Sequence, residues 1–173
     1  MKNLLFLLTL ALTGSSVADD SLNAFREGSP AQRARLQGLE GKLAPALVAS
    51  NWMNSEPLTL EKLKGKVVVL DFWATWCGPC ISSIPHTNEL AEKYKDKVVF
   101  IGLCHPEGSE DMAATVKEKG IQYPVCIDTG EATSDACKVN GYPDYYIIDT
   151  EGNLVIADCA NDSVEDAIKA LLK

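Results

Sequence analysis

The chain has 173 residues, 46% of them hydrophobic and 23% charged, enough apolar content for one compact domain with a sizeable core. A net charge of −8 with no basic run argues against nucleic acid or anionic lipid as a partner and leaves proteins or small molecules. The six cysteines, at 77, 80, 104, 126, 137 and 159, are compatible with disulfides, although a domain of this size does not need them to fold.

The first residues read as an address. Lys2 precedes an apolar run from Leu4 to Leu12, broken only by Thr9, and Ser16-Val17-Ala18 supplies small residues for cleavage. This predicts a signal peptide over residues 1–18. The run is too short to span a bilayer comfortably, and no cysteine near Ala18 offers a lipid attachment point. The mature chain is therefore expected to be exported, periplasmic or otherwise extracytoplasmic, with no stable membrane anchor. Residues 19–44 are polar and poor in aromatics and read as a leader or linker before a domain over residues 45–173. Within the leader, Ser29 can cap a short helix starting at Pro30, and Gly38 and Gly41 can end it.

Val67 to Trp73 is an apolar run with one acid, as in a strand buried on both faces. Ile81, Ile84, Ala91 and Tyr94 then recur at helical spacing. Val98 to Leu103 is a second buried strand. Ser109 to Lys119 reads as a helix capped by Ser109, with acids in its first turn, lysines in its last and Gly120 after it. Pro124 to Ile127 is a third strand, and residues 131–139 a short helix. Tyr145 to Ile148 and Leu154 to Cys159 flank a glycine-containing loop and predict a hairpin. Ser163 offers an S-x-x-D box for a last helix, with Val164, Ile168 and Leu171 on one face. The order predicts an α/β fold whose sheet is parallel at first and is closed by an antiparallel hairpin.

The chemistry centres on Trp76-Cys77-Gly78-Pro79-Cys80, between a buried strand and a helix. Cys77 would sit at the helix N-terminus, where free N–H groups and the helix dipole favour a thiolate. Cys80 follows one turn later on the same side. Gly78 and Pro79 let the first turn form with both sulfurs in bonding range. Half of a zinc site is a competing reading, but no second Cys or His pair stands at suitable spacing. Asp71, inside an apolar strand, is costly unless paired or protonated, and burial would raise its pKa. Pro143 by itself reads as a turn proline before a strand. Trp73 reads as core, Trp52 as packing, and His86 has no evident role. His105, after Cys104 at a strand end, could join Cys77 and Cys80 in a copper site.

The block V-V-L-D-F-W-A-T-W-C-G-P-C resembles the thioredoxin signature, and from about Gly41 onward the chain resembles the exported TlpA/ResA-type branch of that fold. The residues that carry the likeness include Ala44-Pro45, Leu58-Thr59-Leu60, Lys64-Gly65-Lys66, Pro85 and Asn140-Gly141-Tyr142-Pro143, and Ser109 to Ile127 match the branch's helix-strand insertion. The resemblance implies a thioredoxin fold, a central mixed sheet flanked by helices. It also implies a thiol–disulfide oxidoreductase acting on protein thiols and disulfides, with an upstream electron donor. Its redox-active Cys77–Cys80 disulfide would need no further cofactor or metal, and the chain would work as a monomer.

Catalytic roles fall on Cys77, Cys80 and Asp71, the last as acceptor of the resolving cysteine's proton. Trp76, Gly78, Pro79, Tyr142 and Pro143 would bind substrate, Pro143 being cis and the Tyr142 backbone adding a substrate strand. Such proteins often reduce exported thiols during cytochrome c maturation. A disulfide oxidase or isomerase, or a copper-binding chaperone, are the alternatives. The chain departs from the pattern at Ser83, where the branch often has Glu, at Asp144, where Thr often follows the proline, and near Gly102, where cytosolic thioredoxin has a lysine facing the acid. The other four cysteines are left as one of three pairings or as buried free thiols.

Overall fold

The computed structural model describes residues 20–173, so the expected signal peptide lies outside the described residues. β3 (Val67–Trp73) is buried at every position and forms the middle of a seven-stranded sheet of order β1-β7-β6-β3-β4-β5-β2. β4 (Val98–Cys104) and β5 (Val125–Asp128) continue from it in parallel. On its other side β6 (Asp144–Ile148) and β7 (Asn153–Cys159) form the antiparallel hairpin. The expected order and direction of these strands are what the structure has. β1 (Lys42–Leu43) and β2 (Ala49–Met53), which lack a clear period-two pattern, add to the two edges.

Alternation along β3 divides the core. Val67, Val69 and Trp73 face α2 (Gly78–Tyr94), α3 (Met112–Lys119) and α5 (Val164–Leu171). Val68, Leu70 and Phe72 face the opposite layer, which includes Leu36 of α1 (Pro30–Leu36) and Cys137 of α4 (Ala132–Cys137). Asp71 has the parity of Val69 and Trp73, so its carboxyl points under α2. Among the described residues no helix is long and apolar enough to cross a membrane.

Helix starts follow local chemistry with two corrections. Ser29 makes a full capping box with Gln32 on α1, as expected. Ser109 does not cap α3: a 3-10 turn, Ser109–Asp111, intervenes and the α-helix starts at Met112. Ser163 precedes α5, but its hydroxyl turns to Asp162 Oδ1 at 3.2 Å and caps no helix N–H. α4 is held from outside, its first N–H groups donating to the buried Asp128 carboxylate at 2.9 and 2.8 Å.

The stretch read as a leader is docked on the domain. Leu22 and Leu36 are buried in the two core layers. Glu40 accepts from Arg26 at 3.0 Å, from Arg33 at 2.8 Å and from the Ala157 N–H of β7 at 2.9 Å. Arg26 also donates to the Val155 carbonyl and Arg33 to the Ala157 carbonyl. Removing one member of so enclosed a triad strands the others without a counter-charge. Glu40→Ala is therefore expected to cost about 3 kcal/mol and lower Tm by roughly 10 °C, measured by thermal unfolding. A change under about 1 kcal/mol would show the clamp to be dispensable.

Candidate active site

β3 ends at Trp73, the chain turns through Ala74-Thr75-Trp76, and α2 begins at Gly78. Cys77 is the N-cap of α2, with φ −84° and ψ 101°, and its sulfur accepts the Cys80 N–H at 3.2 Å. The sulfur thus occupies the place of an N-cap oxygen at the positive end of a 17-residue helix. Cys77 and Cys80 form a disulfide, with Cα atoms 5.3 Å apart; both are buried while Gly78 and Pro79 between them are exposed.

Trp76, over half exposed, stands over the turn that leads into α2. Its Nε1 donates to the Glu107 carbonyl at 3.1 Å. Gly108, with φ 77°, lies under it: a Cβ there would stand 2.8 Å from Thr75 Oγ1 and 3.1 Å from Trp76 Cδ1. The Trp76 ring meets His105 and Tyr142 edge to face at 5.8 and 5.9 Å. Asp144 pairs with Phe72, so the preceding Tyr142–Pro143 peptide, which is cis, lies level with the end of β3. The predicted Trp76, Cys77, Gly78, Pro79, Cys80 and Tyr142 thus gather at one end of the sheet, with Pro143 beside them.

Asp71 is 3% exposed. Burial pushes its pKa up to about 7, against the lowering effect of a hydrogen bond from the Tyr123 hydroxyl to Oδ2 at 3.0 Å. Oδ1 has no hydrogen-bond partner. Gly102 stands opposite Asp71 in β4, as the departure from the thioredoxin pattern implied. Tyr123 carries no functional signal in the sequence, because an aromatic before a strand reads as core.

Cys104, Cys126, Cys137 and Cys159 are all buried free thiols; none of the three pairings forms. Burial pushes Cys104, Cys137 and Cys159 up to about 12, and Cys126 higher still, so they stay protonated. His105, weighed as a copper ligand, instead accepts the Glu107 N–H at Nδ1 (3.1 Å) and turns Nε2 to Glu131 at 3.5 Å. Among the described residues no three His, Cys, Asp or Glu side chains cluster as metal ligands would. Trp52 is half-buried against the sheet layer, in keeping with a packing role.

A helix-capping cysteine that leads its partner by one turn, beside the middle strand of a mixed sheet, marks the class of thioredoxin-fold dithiol proteins. The family model described as Redoxin matches residues 39–171. The thiol-disulfide oxidoreductase ResA of Bacillus thuringiensis (strain Al Hakam) is 34% identical over 134 residues, 77% of this chain and 76% of the relative. The thioredoxin-like protein YneN of Bacillus subtilis (strain 168) is 35% identical over 116 residues, 65% of this chain and 67% of the relative. A solved thiol:disulfide interchange protein of the thioredoxin family from Chlorobium tepidum TLS superposes with a TM-score of 0.63 at 26% identity, covering 76% of this chain and 97% of that one. The chain belongs to the Redoxin family, in its ResA-type thioredoxin-like branch, and is a thiol–disulfide oxidoreductase.

A second buried acid stands directly after Pro143. Burial, then repulsion from Asp158 and Glu27, pushes Asp144 up to about 8, and Asp158, with φ 58°, is raised as well, chiefly by burial. Asp158 is among the causes that raise Asp144, so the two carboxyls titrate as a coupled pair. Asp71 and Asp144 hold protons in the fold that the unfolded chain releases near pH 4. Their contribution is thus fully present below about pH 4 and is lost as pH rises through about 7 and 8. Denaturant unfolding of the oxidised protein should show stability falling from pH 5 to pH 8, with a shallower fall in Asp144→Asn. Equal slopes in parent and variant would refute the assignment to Asp144.

Proposed function

We propose that the chain is an exported reductant of protein disulfides, working through Cys77 and Cys80 with Asp71 as proton acceptor. The observation that carries the reading is the Cys77 sulfur at the N-cap of α2, where it accepts the Cys80 N–H at 3.2 Å. Gly78 and Pro79 contribute no cation, and the ionisable groups around Trp76 and under α2 include the acids Glu107, Glu131 and Asp71. The helix terminus lowers the thiolate pKa from about 8.5, and the acids limit that fall. A thiolate stabilised only moderately leaves the reduced form a willing electron donor.

Cys77 thiolate attacks one sulfur of a substrate disulfide. The Cys77–substrate bond forms, the substrate bond breaks, and one substrate thiolate departs and takes a proton. Cys80 then loses its proton to the Asp71 carboxylate and attacks the Cys77 sulfur. The Cys77–Cys80 bond forms, the Cys77–substrate bond breaks, and the second substrate sulfur leaves as a thiolate that takes a proton from solvent, so two electrons have passed to the substrate. A dithiol donor upstream returns them, and Asp71 gives up its proton when Cys80 is reduced again. No cofactor beyond the dithiol enters this cycle.

Substrate lies against Trp76, Gly78 and Pro79 and adds a strand along the Tyr142 backbone beside Pro143. The signal-like residues 1–18 support an exported, periplasmic or otherwise extracytoplasmic site of action; within this reading the chain works as a monomer on thiols such as those of cytochrome c maturation.

Cys77→Ser is expected to abolish turnover of a model disulfide, and Cys80→Ser to accumulate mixed disulfides visible by mass spectrometry. Full multi-turnover activity in Cys80→Ser would overturn the assigned order of attack. The potential of the pair, titrated against a glutathione or dithiothreitol couple, is expected nearer about −270 mV, as in thioredoxin, than about −120 mV, as in DsbA. A value above about −160 mV would place the protein among the oxidants.

A further inference from the structure

In cytosolic thioredoxin a lysine faces the buried acid; here the room for one is taken. Gly102 is in register with Asp71 on the neighbouring strand. A Cβ at Gly102 would stand 2.8 Å from Val125 Cγ1, 3.0 Å from Trp73 Nε1 and 3.2 Å from Tyr123 Cε2. The Tyr123 ring therefore lies over the glycine, and it reaches Asp71 from the far side of it. Tyr123 is 3% exposed, and its hydroxyl donates to Asp71 Oδ2 at 3.0 Å. Pro124 fixes the backbone after it, and β5 begins at Val125, paired with Gly102. Burial, and then the Asp71 charge, hold Tyr123 well above the ordinary tyrosine range, so it remains a donor throughout the working pH range.

We propose that Tyr123 is a positioning residue for thiol–disulfide exchange: it holds Asp71 by Oδ2 and leaves Oδ1 turned to the proton of Cys80, in the place where thioredoxin uses a lysine. The inference rests on the reading of Asp71 as proton acceptor.

A neutral hydroxyl donor differs from an ammonium in consequence. A lysine stabilises the carboxylate by a full charge, whereas the hydroxyl offers one hydrogen bond to the charged form. Asp71 thus stays near about 7, where it can both take and return a proton at neutral pH. The titratable groups on the surrounding elements are few. Tyr123 comes from the segment before β5. Tyr145 of β6, in register with Asp71, turns its hydroxyl to Thr87 and Ser83 of α2 at 3.3 and 3.4 Å and is itself raised by burial and by Asp71. Cys77 and Cys80 head α2, and Cys104, at the end of β4, stays protonated.

The test is Tyr123→Phe, which deletes the hydroxyl and keeps the ring over Gly102. A hydrogen bond to a charged group is worth about one pH unit or more of titration. The rate of mixed-disulfide resolution, followed by stopped flow with a disulfide-linked peptide from pH 5 to 9, should rise with pH along a limb whose midpoint moves from about 7 to about 8 in the variant. At pH 7 resolution should slow about fivefold, and at pH 9 parent and variant should agree. Infrared titration of the Asp71 carboxyl in the oxidised protein should show the same shift without any turnover. Asp71→Asn is the control and should remove the limb. If Asp71→Asn removes it while Tyr123→Phe leaves both limb and carboxyl titration in place, the role of Tyr123 is refuted. If the limb survives Asp71→Asn, Asp71 is not the acceptor and both readings fall together.

Discussion

β3 is buried along its whole length and leads through Ala74–Cys77 into α2, the longest helix among the described residues, so the unpaired N–H groups of that helix are presented at one end of the sheet. A free helix terminus there must find an acceptor, and the acceptor is the sulfur of Cys77. The remaining features of the site answer to this placement. Trp76 covers the turn, Gly108 leaves it room, and the cis Tyr142–Pro143 peptide comes alongside because β6 runs back against β3 in fixed register. Asp71 lies under the helix because side chains on a strand alternate and Trp73, two positions on, is already there.

Position relative to the helix terminus sorts the six cysteines, all of them buried, into two populations. Two sit where a helix end favours negative charge. The other four lie in apolar layers that hold their protons firmly, so they behave as small hydrophobic side chains. A protein can therefore carry six thiols and present one reactive pair, with no separate device needed to keep the rest silent.

Patterns repeated along the chain were legible in the sequence. β3, β4 and the β6–β7 hairpin announce themselves by apolar runs and a turn, and α2 by its spacing and its Trp-Cys-Gly-Pro-Cys start. What depends on a distant partner left less trace. The docking of residues 20–44 leans on Arg26, Arg33 and Glu40 besides Leu22 and Leu36, and an ion-pair cluster has no periodicity to read. Ser109 and Ser163 look like caps by local rule, but each is displaced by a 3-10 turn at the helix entrance. Tyr123 was hidden because its ring is core and only its oxygen is chemical. The readable sign was Gly102, since a glycine inside a buried strand marks a group that comes close.

The clamp of Arg26, Arg33 and Glu40 does more than hold a terminus. β7 would otherwise present a row of open carbonyl and N–H groups, for β1 pairs with only its first residues. The guanidinium groups take the carbonyls of Val155 and Ala157, Glu40 takes the N–H of Ala157, and Glu27 donates its own N–H to the carbonyl of Asp158. The opposite margin, β2, is broken by an irregular register with Asn51 at φ 51°. Regular backbone pairing is thus interrupted at both borders of the sheet, which disfavours the addition of a foreign strand. A protein whose proposed work is to pair a substrate strand with its own backbone beside Pro143 thus leaves few open backbone groups along the margins of its sheet.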